Sequence, residues 1–272
     1  MTEDSKLGLA VVTGASSGLG AVYADRLAAR GHALVLIARR GKRLEALAKD
    51  LLARHGVACR IEVTNLEAPD DLARIETLVR DQPVSVLVNN AGIGALGQTS
   101  DQTAGEIASV VKLNVLALSV LSHAALEGFR TRSSGTLVNI GSVIALAPNA
   151  AGAAYSGSKA FVLNFTRSLQ LEYAASPIRI QLVQPGPIKT EFFEAAGVSE
   201  DMFPPESFLS AEQLVDAALA GMDAGEAVTT PSMPDVQSWN GLEERRVAFI
   251  ASTRSGRVAD RYEDWSKAAP PN

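Results

Sequence analysis

The chain has 272 residues, 47% of them apolar and 20% charged, which fits a folded globular protein and excludes a disordered one. A formal net charge of −5 excludes the basic footprint of a nucleic-acid binder. One cysteine, Cys59, excludes an intramolecular disulfide and points to a reducing, cytoplasmic setting.

The opening residues, MTEDSKLGLAVVTG, are acidic and lack the cationic start of a secretory signal. No apolar stretch of about 18 or more residues is free of charges, so no membrane span is expected. Apolar runs at Leu7–Thr13, Ala33–Ala38, Val57–Val63, Val84–Asn89, Gly135–Gly141 and Ile178–Val183 predict strands covered on both faces, as in parallel sheets. Helical spacing over Leu19–Arg30, Lys42–His55, Asp70–Arg80, Ala104–Arg130, Ala153–Ala175 and Ala211–Ala224 predicts the helices. Gly31 and Gly56 stop the first two, and Pro69 precedes the third, where a missing N–H costs little. This alternation gives an α/β fold: a doubly wound parallel sheet with right-handed crossovers, in a single domain over residues 1–272. Beyond Pro185 the pattern loosens, punctuated by Pro187, Pro204, Pro205, Pro231 and Pro234, and the final KAAPPN reads as frayed.

The first strand runs into Thr13-Gly14-Ala15-Ser16-Ser17-Gly18-Leu19-Gly20 and then directly into a helix. Glycines there let the backbone turn tightly and approach a pyrophosphate, and the helix start offers free N–H groups and a positive dipole end. The turn is therefore expected to bind a dinucleotide, with Gly14, Ser16, Ser17, Gly18, Leu19 and Gly20 in contact. At the end of the second strand an acidic residue would hold the ribose 2′-hydroxyl of NAD, whereas an arginine suits the 2′-phosphate of NADP. Arg39 and Arg40 stand there and no acid does, so NADP(H) is the expected cofactor.

Tyr155 and Lys159 lie four apart early in a helix and so share one face. A nearby ammonium favours a phenolate, so the pair is expected to exchange a proton with a substrate oxygen near neutral pH. Ser142 follows the fifth strand and Asn89-Asn90-Ala91-Gly92 ends the fourth, both at the carboxyl edge where α/β ligands bind. Asn114 is an amide within an apolar helical stretch and needs partners.

Together these motifs resemble the short-chain dehydrogenase/reductase family. They are the T-G-x-x-x-G-x-G turn, N-N-A-G, a Ser thirteen residues before Y-x-x-x-K, and Pro185-Gly186 with Thr190 beyond. The resemblance runs from about Leu7 to Thr190. It implies a Rossmann fold and a catalytic tetrad of Asn114, Ser142, Tyr155 and Lys159. Tyr155 would be the general acid/base, with Lys159 lowering its pKa and holding the nicotinamide ribose. Ser142 would orient the substrate carbonyl and Asn114 anchor a relay water. Pro185, Gly186, Ile188 and Thr190 would contact the nicotinamide end, and Asn90, Ala91 and Gly92 would also touch the cofactor. NADP-preferring members carry a basic residue at the position of Arg39, which would therefore bear most of the preference, since Ser17 stands where some relatives have a second one. The adenine contact would fall near Glu62-Val63-Thr64-Asn65, with Glu62 in place of the usual Asp and Val63 touching the cofactor. A short substrate lid is implied over about residues 188–210. Two long helices form the dimer interface in relatives, so a homodimer or homotetramer is implied.

Phe192, Phe193, Met202, Phe203 and Phe208 either line the substrate pocket or pack as a local core; as a lining they favour an apolar carbonyl compound. His32, His55 and His123 lack metal-ligand spacing, so no metal is expected. Cys59 reads as packing rather than reactive. The extension over about residues 231–272, with Trp239, Phe249 and Trp265, predicts an amphipathic helix packing on its own subunit or on a partner. The expected activity is NADP(H)-dependent interconversion of a carbonyl compound and an alcohol. The alternatives are a non-catalytic NADP(H)-binding regulator and an epimerase or dehydratase on the same scaffold.

Overall fold

The computed structural model describes residues 7–148, 150–197, 199 and 203–262. Met202, Trp265 and the last ten residues, on which some expectations rest, lie outside that range. Strand β1 (Leu9–Thr13) feeds α1 (Gly18–Ala29), β2 (Ala33–Ala38) feeds α2 (Gly41–His55), and β3 (Cys59–Val63) feeds α3 (Pro69–Asp81). Strand β4 (Val84–Asn89) is followed by α4 (Ala104–Val110), a π-helical segment (Val111–Ala117) and α5 (Leu118–Arg132). Then come β5 (Thr136–Ile140), α6 (Ala153–Glu172) and β6 (Arg179–Val183). Short elements follow: β7 (Ile188–Lys189), α7 (Phe192–Ala195), β8 (Leu209–Ser210), α8 (Ala211–Asp223) and β9 (Val228–Thr229).

The main sheet has the order β3-β2-β1-β4-β5-β6-β9, and every pairing in it is parallel. This is the expected doubly wound architecture, extended at one edge by β9. Alternate side chains serve opposite faces. Val11, Val35, Leu87 and Leu137 pack with Ile75 of α3 and Leu121 of α5. Val12, Leu36, Val88 and Val138 pack with Tyr23 and Leu27 of α1 and Leu214 of α8. Gly56 ends α2 in the left-handed conformation at φ 68°, and Pro69 sits at the start of α3.

The chain forms two compact units, residues 1–232 and 233–272, and the whole sheet belongs to the first. In the second, α9 (Val236–Ser252) is the helix expected in the extension.

The helical stretch Ala104–Arg132 is long and apolar enough to cross a membrane by length and composition. One face of it, including Leu113, Ala117, Leu121, Ala124 and Ala125, packs into the core of this unit instead. A buried amide network fixes that packing. Asn89 Nδ2 donates to Ser122 Oγ and Asn139 Oδ1, each at 3.0 Å, and Asn139 Nδ2 donates to Thr166 Oγ1 at 3.0 Å. These four residues are buried and bind β4 and β5 to α5 and α6. Replacing Asn139 by Ala leaves Asn89 and Thr166 short of a partner, at a cost of about 1–3 kcal/mol. The thermal midpoint of Asn139→Ala is expected to fall by roughly 2–10 °C; a midpoint unchanged from wild type would show that the network contributes nothing.

Candidate active site

The site grows from the ends of β1 and β4, neighbours where the strand order reverses. Thr13 Oγ1 donates to the Val88 carbonyl (3.3 Å) and accepts the N–H groups of Asn90 (3.0 Å) and Ala91 (2.9 Å). Asn90 Nδ2 donates back to the Thr13 carbonyl at 2.9 Å. Gly14 holds φ 67°, and a Cβ on Gly20 would lie 2.6 Å from Asn90 Nδ2, so only glycine lets α1 approach the turn this closely. Ser17, the N-cap of α1, makes no side-chain cap bond, and the first turn carries no acid. The unpaired N–H groups at this end of α1 are those an anionic pyrophosphate would use.

A cleft of about 760 Å³ opens along the carboxyl edge of the sheet. Gly14, Ser16, Ser17, Gly18, Leu19, Arg39 and Arg40 line one end. Asn90, Ala91 and Gly92 line the middle, and Ser142, Tyr155, Lys159, Pro185, Gly186, Ile188 and Thr190 line the other end. Of the expected residues, Gly20, Val63 and Asn114 stand outside the lining. Gly20 works through packing. Asn114, buried in the π-helical segment, donates to the Ile93 carbonyl (2.9 Å) and Ser158 Oγ (3.1 Å), and its Oδ1 accepts the Ile93 N–H (2.9 Å). It thereby ties the helix to the loop after β4 and to α6.

Tyr155 is buried early in α6 and hydrogen-bonds Ser142. Ser142 caps a short 3₁₀ turn by accepting the Ile144 N–H at 3.3 Å and lies 3.4 Å from the Pro185 carbonyl. Lys159, one turn further along α6, donates from Nζ to the Ile140 carbonyl at 2.9 Å, with Nζ 5.8 Å from the Tyr155 ring centroid. The expectation that Lys159 lowers the Tyr155 pKa does not hold in this arrangement. Burial pushes the phenol up to about 12, with the Ser142 bond pulling it partly back. Burial also pushes the Lys159 ammonium down to about 8. Desolvation acts on both groups, and the ammonium is turned to a backbone carbonyl.

At the adenine end the wall is Thr64, Asn65, Leu66 and Glu67 rather than Glu62 and Val63. Glu62 instead ion-pairs with Arg60 and Arg74, and Val63 is exposed. The two arginines also divide unexpectedly. Arg39 is 62% exposed and reaches Glu67 only at 3.7 Å. Arg40 is the one drawn over the turn, donating from Nε to Ser16 Oγ (3.0 Å) and from Nη2 to Ser17 Oγ. Cys59 is partly buried, and burial pushes its thiol up to about 11, in keeping with packing.

The end of the cleft holding Tyr155 is also lined by apolar Leu96, Val143, Ile144, Ala147, Phe192 and Phe203. The lid aromatics pack together and also reach the cleft, since Phe192, Phe193 and Phe203 all line it. Phe193, Phe203 and Phe208 stack mutually, with centroids 5.7–6.0 Å apart, as a local core. Phe192 turns the other way, its ring centroid 5.4 Å from that of Tyr155. Leu96, Val143 and Ile144 carry no distinctive motif in the sequence, and only the fold gathers them.

A family model described as short chain dehydrogenase matches residues 8–201. The chain belongs to this family. A short-chain dehydrogenase from Sphingobium yanoikuyae in complex with NADPH superposes with a TM-score of 0.90 at 40% identity, covering 94% of this chain and 100% of that one. The bulky-bulky ketone specific alcohol dehydrogenase from Comamonas testosteroni superposes with a TM-score of 0.86 at 36% identity, covering 94% and 99%. Among curated proteins, the very-long-chain 3-oxoacyl-CoA reductase of Anas platyrhynchos is 31% identical over 74% of this chain and 66% of its own length. An inactive hydroxysteroid dehydrogenase-like protein 1 of Pongo abelii is 32% identical over 74% of this chain and 58% of its own. The chain thus spans less than two-thirds of the length of either curated relative.

The buried Lys159 has a consequence for stability. Its folded pKa lies near 8, below its ordinary 10.5, so the unfolded chain binds more protons between those values and stability rises with pH there. The cost of burying the ammonium is fully present below pH 8 and gone above 10.5. Lys159→Met is therefore expected to be more stable than wild type at pH 7 by on the order of 1–3 kcal/mol, with the gap closing toward pH 10.5. Urea unfolding across that range tests it; a variant less stable than wild type at every pH would contradict it.

Proposed function

We propose that this chain is an NADP(H)-dependent carbonyl reductase, running in reverse as an alcohol dehydrogenase, with a bulky apolar carbonyl compound as substrate. The observation that carries this reading is that Tyr155, Ser142 and Lys159 line the same cleft as the glycine-rich turn and Arg40. The cofactor is NADP(H): the α1 start suits its pyrophosphate, Arg40 with Ser16 and Ser17 suits its 2′-phosphate, and the loop from Pro185 to Thr190 suits its nicotinamide end. When bound it supplies the hydride.

The protein's own part is proton transfer and orientation. Ser142 holds the substrate oxygen beside the Tyr155 hydroxyl. Tyr155 gives its proton to that oxygen as the carbonyl becomes an alcohol, and takes it back in the reverse direction. A phenol held near 12 stays protonated at neutral pH, which favours reduction. Lys159 lines the cleft one turn from Tyr155 and is placed to hold the nicotinamide ribose. Asn114 keeps the π-helical segment docked on α6. The apolar wall and Phe192 exclude water from around the substrate. The bulky-ketone specificity of the Comamonas protein supports such a wall.

A non-catalytic NADP(H)-binding role is the second reading, kept because one relative is described as inactive. We also propose a homodimer or homotetramer built on α4–α5 and α6. Val111, Leu116, Phe161 and Leu171 leave apolar surface exposed there.

NADPH oxidation with a panel of bulky ketones tests the function. Tyr155→Phe is expected to lower kcat by about 10²–10⁴-fold while NADPH still binds. Turnover unaffected by Tyr155→Phe, or none in wild type, would sink the enzyme reading. Reaction direction supplies a pH test. Alcohol oxidation needs the phenolate, so its rate is expected to climb with pH from 7 to 9, while ketone reduction shows no such climb. Parallel profiles in both directions would remove Tyr155 from the proton step.

A further inference from the structure

Glu191 lines the cleft, and the reaction proposed above does not use it. It stands between Thr190 and Phe192, at the root of the lid, and far in sequence from the arginines it meets. Its carboxylate accepts from Arg40 Nη1 at 2.8 Å and from Arg43 Nη1 at 2.8 and 2.9 Å. The same Arg40 guanidinium also donates from Nε to Ser16 and from Nη2 to Ser17. The two guanidiniums hold the Glu191 carboxyl below its usual range. All three charged side chains are about half-exposed, so the bonds can exchange without burying a bare charge.

A phosphate beside Ser16 and Ser17 would draw on the Arg40 N–H groups that now serve Glu191. A phosphate carries more charge than a carboxylate and more acceptor oxygens, so it is the stronger competitor. If both anions stay near the arginines, they repel each other. Either way the carboxylate opposes the phosphate and is indifferent to a ribose hydroxyl.

We propose that Glu191 is a specificity-determining residue, whose carboxylate competes with the cofactor's 2′-phosphate for Arg40 and Arg43 and so moderates the preference for NADP(H) over NAD(H). The proposal rests on the NADP(H) reading above. It assigns the lid root a part in cofactor choice, acting through the arginines rather than by touching the substrate.

The test is calorimetric binding of NADP⁺ and NAD⁺ to the full chain as wild type, Glu191→Gln and Glu191→Asp. Glu191→Gln is expected to tighten NADP⁺ by about threefold to fivefold, in line with a surface ion pair, and to leave NAD⁺ within about twofold. The gain is expected to shrink as salt is raised to about 1 M, where charges are screened within about 3 Å. Glu191→Asp, which keeps the charge, is expected to stay near the wild-type ratio. A purely structural role for Glu191 would move both cofactors together. An NADP⁺/NAD⁺ ratio unchanged or lowered in Glu191→Gln, with wild type preferring NADP⁺, overturns this proposal alone. A wild type that prefers NAD⁺ overturns the cofactor reading and this proposal with it.

Discussion

Asn139 is the residue on which the site's geometry depends most. An amide buried in a sheet interior is costly unless its donors and acceptors are matched. Asn139 matches its own with Asn89 on the neighbouring strand, Ser122 on α5 and Thr166 on α6. Apolar packing alone would let those two helices slide, because it has no direction. The amide contacts have direction. They set α5 and α6 at one register against the sheet; Asn114 precedes α5 in the π-helical segment, and Tyr155 and Lys159 lie in the first two turns of α6. Asn114 sits two turns before Ser122, and Lys159 two turns before Thr166.

Burial then decides how the site titrates. Charge proximity and desolvation make opposite demands on a tyrosine beside a lysine, and here desolvation is the larger effect for both groups. The phenol is held protonated and the ammonium is weakened. A site of this kind is a poor contributor to stability, since it buries a lysine against a single carbonyl. The surrounding sheet tolerates it because Val88, Val138, Ile140 and Leu182 are buried along the same strands. The loss is local and the compensation is spread over the core.

The alternating units were legible in the sequence, since β1 and β2 carry continuous apolar runs, β3 to β6 carry apolar residues interleaved with polar ones, and each crossover helix has its own period. The cofactor turn was legible because its glycines, hydroxyls and helix start are contiguous. What escaped was built from contacts between distant segments. β9 is two residues long and exists only by pairing with β6, so it has no period to read. The π-helical segment keeps a helical pattern of apolar residues, and the register change at Asn114 is driven by its bonds to Ile93 and Ser158. Glu62 does not line the cleft, and Arg60 and Arg74, one on its own strand and one on α3, hold its carboxylate. Arg39 and Arg40 are adjacent, and the bend between the end of β2 and the start of α2 sends one toward Glu67 and the other over the turn.

The lid shows why a run of aromatic residues does not by itself describe a pocket. Phe193, Phe203 and Phe208 satisfy one another edge to face, which anchors the segment and removes most of their surface from any substrate. Phe192, next in sequence to Phe193, is turned about 86° from it and faces Tyr155. The division of labour follows from the first turn of α7, where neighbouring side chains project to different sides. Phe192 lies beside Tyr155, while Phe193 and Phe203, which also line the cleft, pack with Phe208. Phe192 shares the apolar part of the cleft wall with Val143, Ile144 and Leu96. Because Phe193 and Phe203 also line the cleft, changing either ring would alter the wall as well as the packing of this segment.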